Sequence, residues 1–209
     1  MRKLLLTTAA VAAAIGLAGC GNGDPDTLID KRDGQKYRTV VIGGTRWMAQ
    51  NLNYQTDSSW CYENSTDSCN KYGRLYNWMT ATTVCPKGWK LPSREDWDQL
   101  AESVGGRKSD NYDSWHDWLD AGKKLKSTSG WYNNSNGTDD VGFSALPGGY
   151  RFSAGGFLGA GNNGHWWTAT ECGGSIAYYR FMRYGDDDVI ESLDYKSFGY
   201  SVRCVADRP

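Results

Sequence analysis

The sequence is poor in the residues from which catalytic and metal sites are usually built. It has two histidines, His116 and His165, and no P-loop, dinucleotide-binding fingerprint or zinc-ligand spacing. It also lacks an excess of either charge, because the formal net charge is −1, which leaves no electrostatic footprint for nucleic acid. These absences disfavour a zinc enzyme, a nucleotide-dependent enzyme and a nucleic-acid-binding protein.

An apolar run long enough to span a bilayer is missing as well. The run from Leu4 to Leu17 follows two basic residues, which is the pattern of an export signal. Leu17-Ala-Gly-Cys20 then resembles a bacterial lipobox, so we predict a signal peptide over residues 1–19 and lipidation of Cys20, which would anchor the chain in a membrane. Gly21 stands where an aspartate would retain a lipoprotein in the inner membrane. We therefore expect an outer-membrane lipoprotein exposed at the cell surface, and an ordinary secretory peptide is the alternative.

Aromatic residues and glycine are abundant, with 10 Trp, 13 Tyr and 26 Gly in 209 residues. This composition predicts an irregular, loop-rich fold held together by large side chains. Residues 20–34 are rich in glycine, aspartate and charge, and we expect them to form a flexible tether. Residues 35–209 then make one domain with a core of its own.

Export places the cysteines in an oxidising compartment, where they are expected to pair. Beyond Cys20 there are five, so they cannot all pair within one chain. Cys61 and Cys69 flank a polar segment that we interpret as a loop, and a disulfide between them would close a short ring.

Local patterns predict a hairpin and two helices in the first two thirds of the chain. Tyr37–Ile42 reads as a strand that turns at Gly43-Gly44 and returns, and a short helix follows near Trp78. Ser93 is a helix N-cap with acidic residues in the first turn of a helix that ends at Gly105-Gly106. A further helix is predicted from Tyr112 to Lys126, with its tryptophans and leucines on one face.

The last third reads as strands with short turns, which is typical of an antiparallel meander. The predicted strands are Trp166–Thr170, Ile176–Arg183, Val189–Tyr195 and Ser201–Val205. Because side chains alternate along a strand, we expect one of Trp166 and Trp167 to face inward and the other outward.

Six ordered motifs resemble those of the Fibrobacter succinogenes major paralogous domain family over residues 34–207. The first is Cys85-Pro-x-Gly-Trp-x-Leu-Pro-Ser-x-x-Asp-Trp97. The others are Tyr72-Gly-Arg-Leu-Tyr-Asn-Trp78, Gly142-Phe-Ser-Ala-Leu-Pro-Gly-Gly-Tyr-Arg151, Trp166-Trp-Thr-Ala-Thr-Glu171, Ala177-Tyr-Tyr-Arg180 and Gly199-Tyr-Ser-Val-Arg-Cys-Val205. Since Cys85 and Cys204 both lie in such motifs, the resemblance implies a disulfide between them. Cys172 would remain as a free, partly buried thiol, with intermolecular pairing as the alternative.

The Leu-Pro-Ser-x-x-Asp-Trp segment is also similar to a helix start in formylglycine-generating enzymes, which have a C-type-lectin-like fold. The resemblance implies a single α+β domain, with an antiparallel sheet, two helices, long loops and stapling disulfides. Those enzymes bind copper through a close cysteine pair late in the chain. Here Cys172 and Cys204 are far apart in sequence, so we expect no such activity and no catalysis. His165, Glu171 and Cys172 do not make a convincing triad, because adjacent strand positions face opposite sides.

Lectin-like folds present long loops, here Trp131–Asp140 and Arg151–Trp167, and exposed aromatic rings stack on sugars. The candidate ligand-binding residues are Trp131, Tyr132, Asn133, Asn134, Asp139, Asp140 and Trp166. Together with Asn136 and with Asp186–Asp188, the loop also offers oxygen ligands for calcium, although EF-hand spacing and the Trp-Asn-Asp signature of C-type lectins are missing. The alternative is that these aromatics are core and the polar residues are solvated turns.

The sequence thus predicts a lipid-anchored surface protein that binds extracellular polysaccharide or mediates adhesion, without a cofactor other than a candidate calcium. A structural or protein-binding surface component is the alternative function, and the sequence names neither the ligand nor the partner.

Overall fold

The computed structural model describes residues 26–111 and 117–207, and strands dominate it. The strands are β1 (Thr27–Ile29), β2 (Lys36–Ile42), β3 (Thr45–Met48), β4 (Ser59–Trp60), β5 (Leu75–Tyr76), β6 (Trp89–Lys90), β7 (Arg107–Lys108), β8 (Trp118–Leu119), β9 (Gly148–Arg151), β10 (Phe157–Ala160), β11 (Asn163–Gly173), β12 (Ile176–Arg183), β13 (Ile190–Tyr195), β14 (Tyr200–Ser201) and β15 (Val205–Ala206). The helices are α1 (Thr66–Tyr72), α2 (Trp78–Ala81), α3 (Arg94–Ser103) and α4 (Ala121–Leu125), with 3-10 turns at Tyr62–Asn64 and Tyr132–Asn134. Within these residues no helix is long and apolar enough to cross a membrane.

The predicted N-terminal hairpin is confirmed. β2 and β3 pair antiparallel from Thr39↔Met48 to Ile42↔Thr45. Gly43 and Gly44 both have positive φ, 57° and 80°, which a tight two-residue hairpin turn requires and which glycine adopts without strain. The predicted tether is partly wrong, because β1 lies inside residues 20–34 and pairs with the start of β2. The folded region therefore begins before residue 35.

Helix α3 starts as its sequence predicts. The Ser93 Oγ accepts a hydrogen bond from the Asp96 backbone N–H at 3.1 Å, and the Asp96 carboxylate accepts one from the Ser93 N–H at 2.9 Å. This reciprocal capping box satisfies two N–H groups that would otherwise have no partner at the helix start. Trp97 and Leu100 are buried, and Gly105 follows the helix with φ of 76°.

The predicted helix over Tyr112–Lys126 is wrong in its second half. Residues 112–116, with Trp115 and His116, lie outside the described residues, whereas Trp118 and Leu119 form β8 and pair with β7. Asp120 has a left-handed backbone, φ 65°, which interrupts any helix at this point, and α4 is only five residues long. Trp118 instead exchanges backbone hydrogen bonds with Val189, a contact that the sequence pattern cannot show.

The end of the chain returns to the first sheet, whose order is β1-β2-β3-β15-β6. Val205 pairs with Trp47 on one side and with Lys90 on the other, so β15 lies between two strands that precede it by more than one hundred residues. The predicted disulfide between Cys85 and Cys204 is confirmed beside this strand, with a Cα–Cα distance of 6.0 Å. The last predicted strand therefore does not extend the meander.

The second sheet has the order β10-β9-β11-β14-β5-β4, and β12 pairs with β11 and with β13. The predicted meander is confirmed for β11, β12 and β13, which pair antiparallel. β11 also pairs in parallel with β9 and β14, at one register pair each. The predicted loop Arg151–Trp167 is wrong, because β10 and the start of β11 occupy most of it.

Each face of β11 packs into a separate core. Trp166 belongs to the cluster that contains Trp47, Trp97 and Phe143, whereas Trp167 belongs to the cluster that contains Tyr76. Both indoles are fully buried. The two side chains do face opposite sides, but the expectation that one of them reaches solvent is wrong, since β11 is covered on both faces at these two positions.

Two clusters of polar side chains, one around Asn51 and one around Glu191, connect the elements that form these cores. The side-chain oxygen of Asn51 accepts hydrogen bonds from Trp166 Nε1 at 2.9 Å and from Arg203 Nε and Nη2 at 3.1 and 2.8 Å. Burial lowers the pKa of Arg203 to about 9, which still leaves it charged at neutral pH. The Glu191 carboxylate oxygens lie 2.5 and 2.9 Å from guanidinium nitrogens of Arg94 and 2.7 Å from one of Arg180. These ion pairs link α3 and β12 to β13.

The Cys61–Cys69 disulfide is confirmed, with a Cα–Cα distance of 4.9 Å. The segment that it closes is not only a polar loop, because α1 begins at Thr66 and contains Cys69. Cys172 is free as expected but is exposed rather than partly buried. The described chain is thus a mostly β fold with few helices and two disulfides.

Candidate functional site

A group of partly buried aromatic rings lies on the face of the second sheet that carries Trp167. We call it the aromatic face and define it by Tyr150, Phe152, Phe181 and Phe198. Tyr150 and Phe181 contact the buried His165, and Phe152 and Phe198 contact Tyr150. Tyr179 and Tyr200 stack on His165, Trp167 contacts Tyr200, and these three belong to one core. Apolar groups that remain at a surface in such a cluster mark a site of interaction more often than a single exposed side chain does.

The register of the sheet brings these rings together. His165 on β11 is paired with Phe181 on β12, and Trp167 with Tyr179, so all four side chains emerge on one face. Tyr150 reaches the same group from β9, with its ring centroid 4.8 Å from that of His165. Elements that are far apart in sequence therefore contribute to one surface.

Several rings of the aromatic face are nearly parallel. His165 and Phe181 have an interplanar angle of 11° and centroids 5.4 Å apart, and His165 and Tyr200 are 28° and 5.1 Å. Tyr150 and Phe198 are inclined by 23° at 6.4 Å. In such pairs the ring faces are turned towards each other, so the stacked rings form a continuous apolar cluster.

His165 is neutral at physiological pH. Burial lowers its pKa to about 3, and neither ring nitrogen has a hydrogen-bond partner among the described residues. A general base needs a pKa near the operating pH and a group that orients it. The imidazole has neither, so it contributes to the site only as a planar ring that packs against its neighbours.

Hydroxyl and carboxylate groups lie at the rim of the aromatic face. The Tyr200 hydroxyl donates to the Asp194 carboxylate at 2.5 Å. Burial raises the pKa of Tyr200 and of Tyr179, so both phenols keep their protons at neutral pH. Because Tyr200 is buried and its proton is donated to Asp194, the partly exposed Asp194 carboxylate is the polar group that this pair offers to a ligand.

The two tryptophans that the sequence favours as ligand platforms are not available to a ligand. Trp131 is 3% exposed, and its indole N–H donates to Ser127 Oγ at 3.1 Å and to the Ala145 carbonyl at 3.2 Å. Trp166 is fully buried and donates to Asn51. As surfaces for stacking, both predictions are wrong, because each indole is enclosed by neighbouring elements and hydrogen-bonded inside the protein.

No ring contact among the described residues joins the rest of the predicted Trp131–Asp140 loop to the aromatic face. Tyr132 is 57% exposed and contacts Tyr184 edge-on at 5.2 Å, so the pair offers no flat platform. Asn133 and Asn134 are exposed, with left-handed backbones at φ of 58° and 56°. The Asp139 carboxylate accepts hydrogen bonds from the backbone N–H and hydroxyl of Ser144, which folds the loop on itself, while Asp140 is exposed.

The acidic turn at Asp186–Asp188 is occupied by contacts within the protein. Asp186 pairs with Arg183, and Asp187 lies 3.6 Å from the Lys126 ammonium. Asp188 accepts a hydrogen bond from the Asp120 N–H at 3.0 Å. Across residues 26–111 and 117–207, no three His, Cys, Asp or Glu side chains form a group that could hold a metal ion.

The sequence does not predict the aromatic face, although part of the pattern is visible in it. Tyr150 and Phe152 are two residues apart, and so are Tyr179 and Phe181, which is the spacing of side chains on one face of a strand. Nothing in these pairs shows that they meet, because the meeting depends on the pairing of β9, β11 and β12.

Comparison with known proteins gives one match. The family model described as Fibrobacter succinogenes major domain matches residues 40–206. No curated protein and no solved structure matches the chain.

Proposed function

The chain belongs to the Fibrobacter succinogenes major domain family, and from this premise we propose that it is a non-catalytic cell-surface module that binds extracellular polysaccharide. The aromatic face is the observation that carries the proposal. Its partly buried rings offer apolar surface to the C–H groups of sugar rings, and the partly exposed Asp194 carboxylate offers a hydrogen-bond acceptor to hydroxyl groups.

The absence of catalysis is part of the proposal. His165 is held neutral in an apolar setting, which suits packing and not proton transfer. Cys204 is bonded to Cys85, so it is not available to form a copper-binding pair with Cys172. Calcium binding stays a prediction that a chelator control tests directly.

We also propose that the chain is anchored to the outer membrane through a lipidated Cys20 and displays its domain outward. The support is the sequence alone, because residues 1–25 lie outside the described residues. Labelling of cells with a radioactive fatty acid should mark the wild-type chain and not a Cys20→Ser variant. Equal labelling of both would exclude this anchor.

The fold, in the same way, is proposed to be C-type-lectin-like. Strands near both ends of the described chain share the first sheet, since β1, β2 and β15 all belong to it, and the Cys85–Cys204 disulfide fastens that return. An experimental structure compared with lectin-like domains would test the proposal, and a different strand order would contradict it.

The binding proposal is tested with the full chain, purified in detergent, against cellulose, other plant polysaccharides and a glycan panel, with calcium and with chelator. Wild-type protein should bind at least one of them saturably. Phe181→Ala and Phe198→Ala should each weaken that binding at least tenfold, because each removes a ring of the aromatic face. Tyr132→Ala is the matched control, since it removes an exposed ring outside that face and should leave binding unchanged.

Two results would overturn the proposal. One is that no polysaccharide binds under either condition. The other is that Tyr132→Ala abolishes binding while both phenylalanine variants retain it and melt as the wild type does. The second result would place the binding site in the Trp131–Asp140 loop, as the sequence predicts.

A protein partner is the second candidate, and one observation favours it. Among the described residues, β13 pairs only with β12, so its other edge is open, and Leu193 and Tyr195 on it are 44% and 58% exposed. An open strand edge can accept a strand from another chain. Crosslinking on intact cells through a photoreactive residue at Tyr195 should then yield a specific adduct, whereas the glycan hypothesis predicts none.

A further inference from the structure

An amide-lined cleft lies apart from the aromatic face, between the segments 33–37 and 50–55 and helix α1. It consists of two depressions, about 350 Å³ and about 110 Å³, which share Gln35, Asn53, Cys69 and Asn70 in their walls. Its larger part is within the size range of small-molecule sites. We define the amide-lined cleft by these two depressions together.

Carboxamide side chains dominate the polar lining. Gln35, Asn53, Gln55 and Asn70 line the larger depression, and a carboxamide can both donate and accept hydrogen bonds. Gln35 already donates to Asp33 and to the Asn53 carbonyl, so the other three amides are the ones available to a ligand. The Asn53 Oδ1 is buried without a hydrogen-bond partner among the described residues. A buried acceptor without a partner is unfavourable, so a ligand donor that reaches the Asn53 Oδ1 would lower the free energy.

The charge of the cleft is positive. Lys36 and Lys71 line the smaller depression and Arg74 the larger one, and none of the three forms an ion pair with a carboxylate of residues 26–111 or 117–207. Asp33 is the one acidic side chain of the described residues in either wall, and its carboxylate accepts hydrogen bonds from the backbone and side chain of Gln35. Three cations therefore face one carboxylate that already has partners.

Contacts with Ser59 and with the Cys61–Cys69 disulfide hold the Arg74 side chain in place. Its Nε donates to Ser59 Oγ at 3.0 Å, and its Nη1 lies 3.5 and 3.6 Å from the sulfur atoms of Cys61 and Cys69. The disulfide thus fixes a half-buried guanidinium at the wall of the cleft without neutralising it. A guanidinium in this setting is well suited to a carboxylate ligand.

We propose that the amide-lined cleft binds a hydroxylated carboxylate of the size of one hexuronic acid residue. The carboxamides would exchange hydrogen bonds with the hydroxyl groups, and Arg74 with the two lysines would bind the carboxylate. The inference rests on the proposed function for the class of ligand, a carbohydrate, but not for the site. The amide-lined cleft, which is separate from the aromatic face, would therefore give the protein a preference for acidic sugars.

The test compares two probes that differ in a single functional group, glucuronate and glucose, by calorimetric titration of the full chain in detergent micelles. Glucuronate should bind and glucose should bind at least tenfold more weakly. Lys71→Glu should weaken glucuronate binding at least tenfold, because it reverses one of the three charges. Lys87→Glu is the matched control, since Lys87 is exposed and lines neither depression, and it should leave binding unchanged.

Chemical shifts locate the bound sugar. Glucuronate should move the side-chain amide resonances of Asn53 and Asn70 and leave those of Asn133 and Asn134 in place. The inference is overturned if glucose binds as tightly as glucuronate, if Lys71→Glu binds as the wild type does, if the shifts occur elsewhere, or if neither sugar binds. Phe181→Ala should retain glucuronate binding, so failure of the polysaccharide proposal and failure of this one are separate results.

Discussion

Replacing His165 with phenylalanine should remove a large part of the acid sensitivity of this protein. In the folded state burial lowers the pKa of His165 to about 3, whereas the ordinary value that applies to the unfolded chain is 6.5. The unfolded state therefore takes up a proton at a pH where the folded state does not. The stability that the neutral imidazole contributes is complete above pH 6.5 and is lost as the pH falls from 6.5 towards 3.

The size of the effect follows from the two pKa values. Between pH 7 and pH 4.5 the linkage amounts to about 2.5 kcal/mol at 25 °C, and it changes little as long as the folded-state pKa lies below about 4. A loss of this size is a substantial fraction of the free energy of unfolding of an ordinary domain, about 5–15 kcal/mol. Phenylalanine keeps a planar ring in the stack against Phe181 and Tyr200 and has no titrating group.

The assay is urea unfolding followed by tryptophan fluorescence, for the wild type and the variant at both pH values. The free energy of unfolding of the wild type should fall more than that of His165→Phe, and the difference should be about 2.5 kcal/mol. Other groups, among them Asp117 and Asp188 whose pKa values burial raises, titrate in both proteins and cancel in the comparison. Phe181→Leu is the packing control, because it should lower stability at both pH values by the same amount.

One result would refute the reasoning. If His165→Phe and the wild type lose the same free energy between pH 7 and pH 4.5, the imidazole is not held neutral. It would then be accessible to a proton and would not be enclosed by the rings of the aromatic face.

Three further predictions concern the polar groups and disulfides that hold the two cores. Asn51→Ala should cost about 3 kcal/mol or more in urea unfolding, since it leaves buried indole and guanidinium donors without an acceptor, and Asn70→Ala on the exposed surface should stay within about 0.5 kcal/mol of the wild type. Removal of the Cys85–Cys204 disulfide by double serine substitution should cost up to about 5 kcal/mol, because it closes a loop of 119 residues, and a loss below 1 kcal/mol would contradict the entropic argument. Glu191→Gln should cost about 1–3 kcal/mol, because it removes the carboxylate shared by the partly exposed Arg94 and the buried Arg180, and Arg180 keeps Asp98 at 2.6 Å. A thermal midpoint equal to that of the wild type would contradict this.

Features that depend on neighbours in sequence could be predicted from the sequence. The Ser93 cap acts over three residues, and the Gly43-Gly44 turn depends on backbone freedom at two positions. The alternation that predicts β12 is a property of the strand itself. The Cys85–Cys204 pairing was implied by the family resemblance, and not by local chemistry, and the structure confirms it.

Features that depend on distant partners were predicted poorly. Trp131 and Trp166 have the residue type of a sugar platform, but each lies under elements that the chain adds elsewhere. The helix predicted beyond Tyr112 has apolar spacing typical of a helix, yet Trp118 pairs with Val189 instead. Spacing specifies which side chains share a face, and it does not specify what covers that face.

The sequence by itself determined the hairpin, the start of the central helix, the short Cys61–Cys69 ring and the family of the domain, because each rests on chemistry or motifs within short stretches of chain. Only the tertiary structure decided which aromatic rings remain at the surface and which carboxamides and cations line one cleft. The physical reason is that burial is set by contacts between elements: β11 has a core on each face, and Val205 joins a sheet that begins near residue 27.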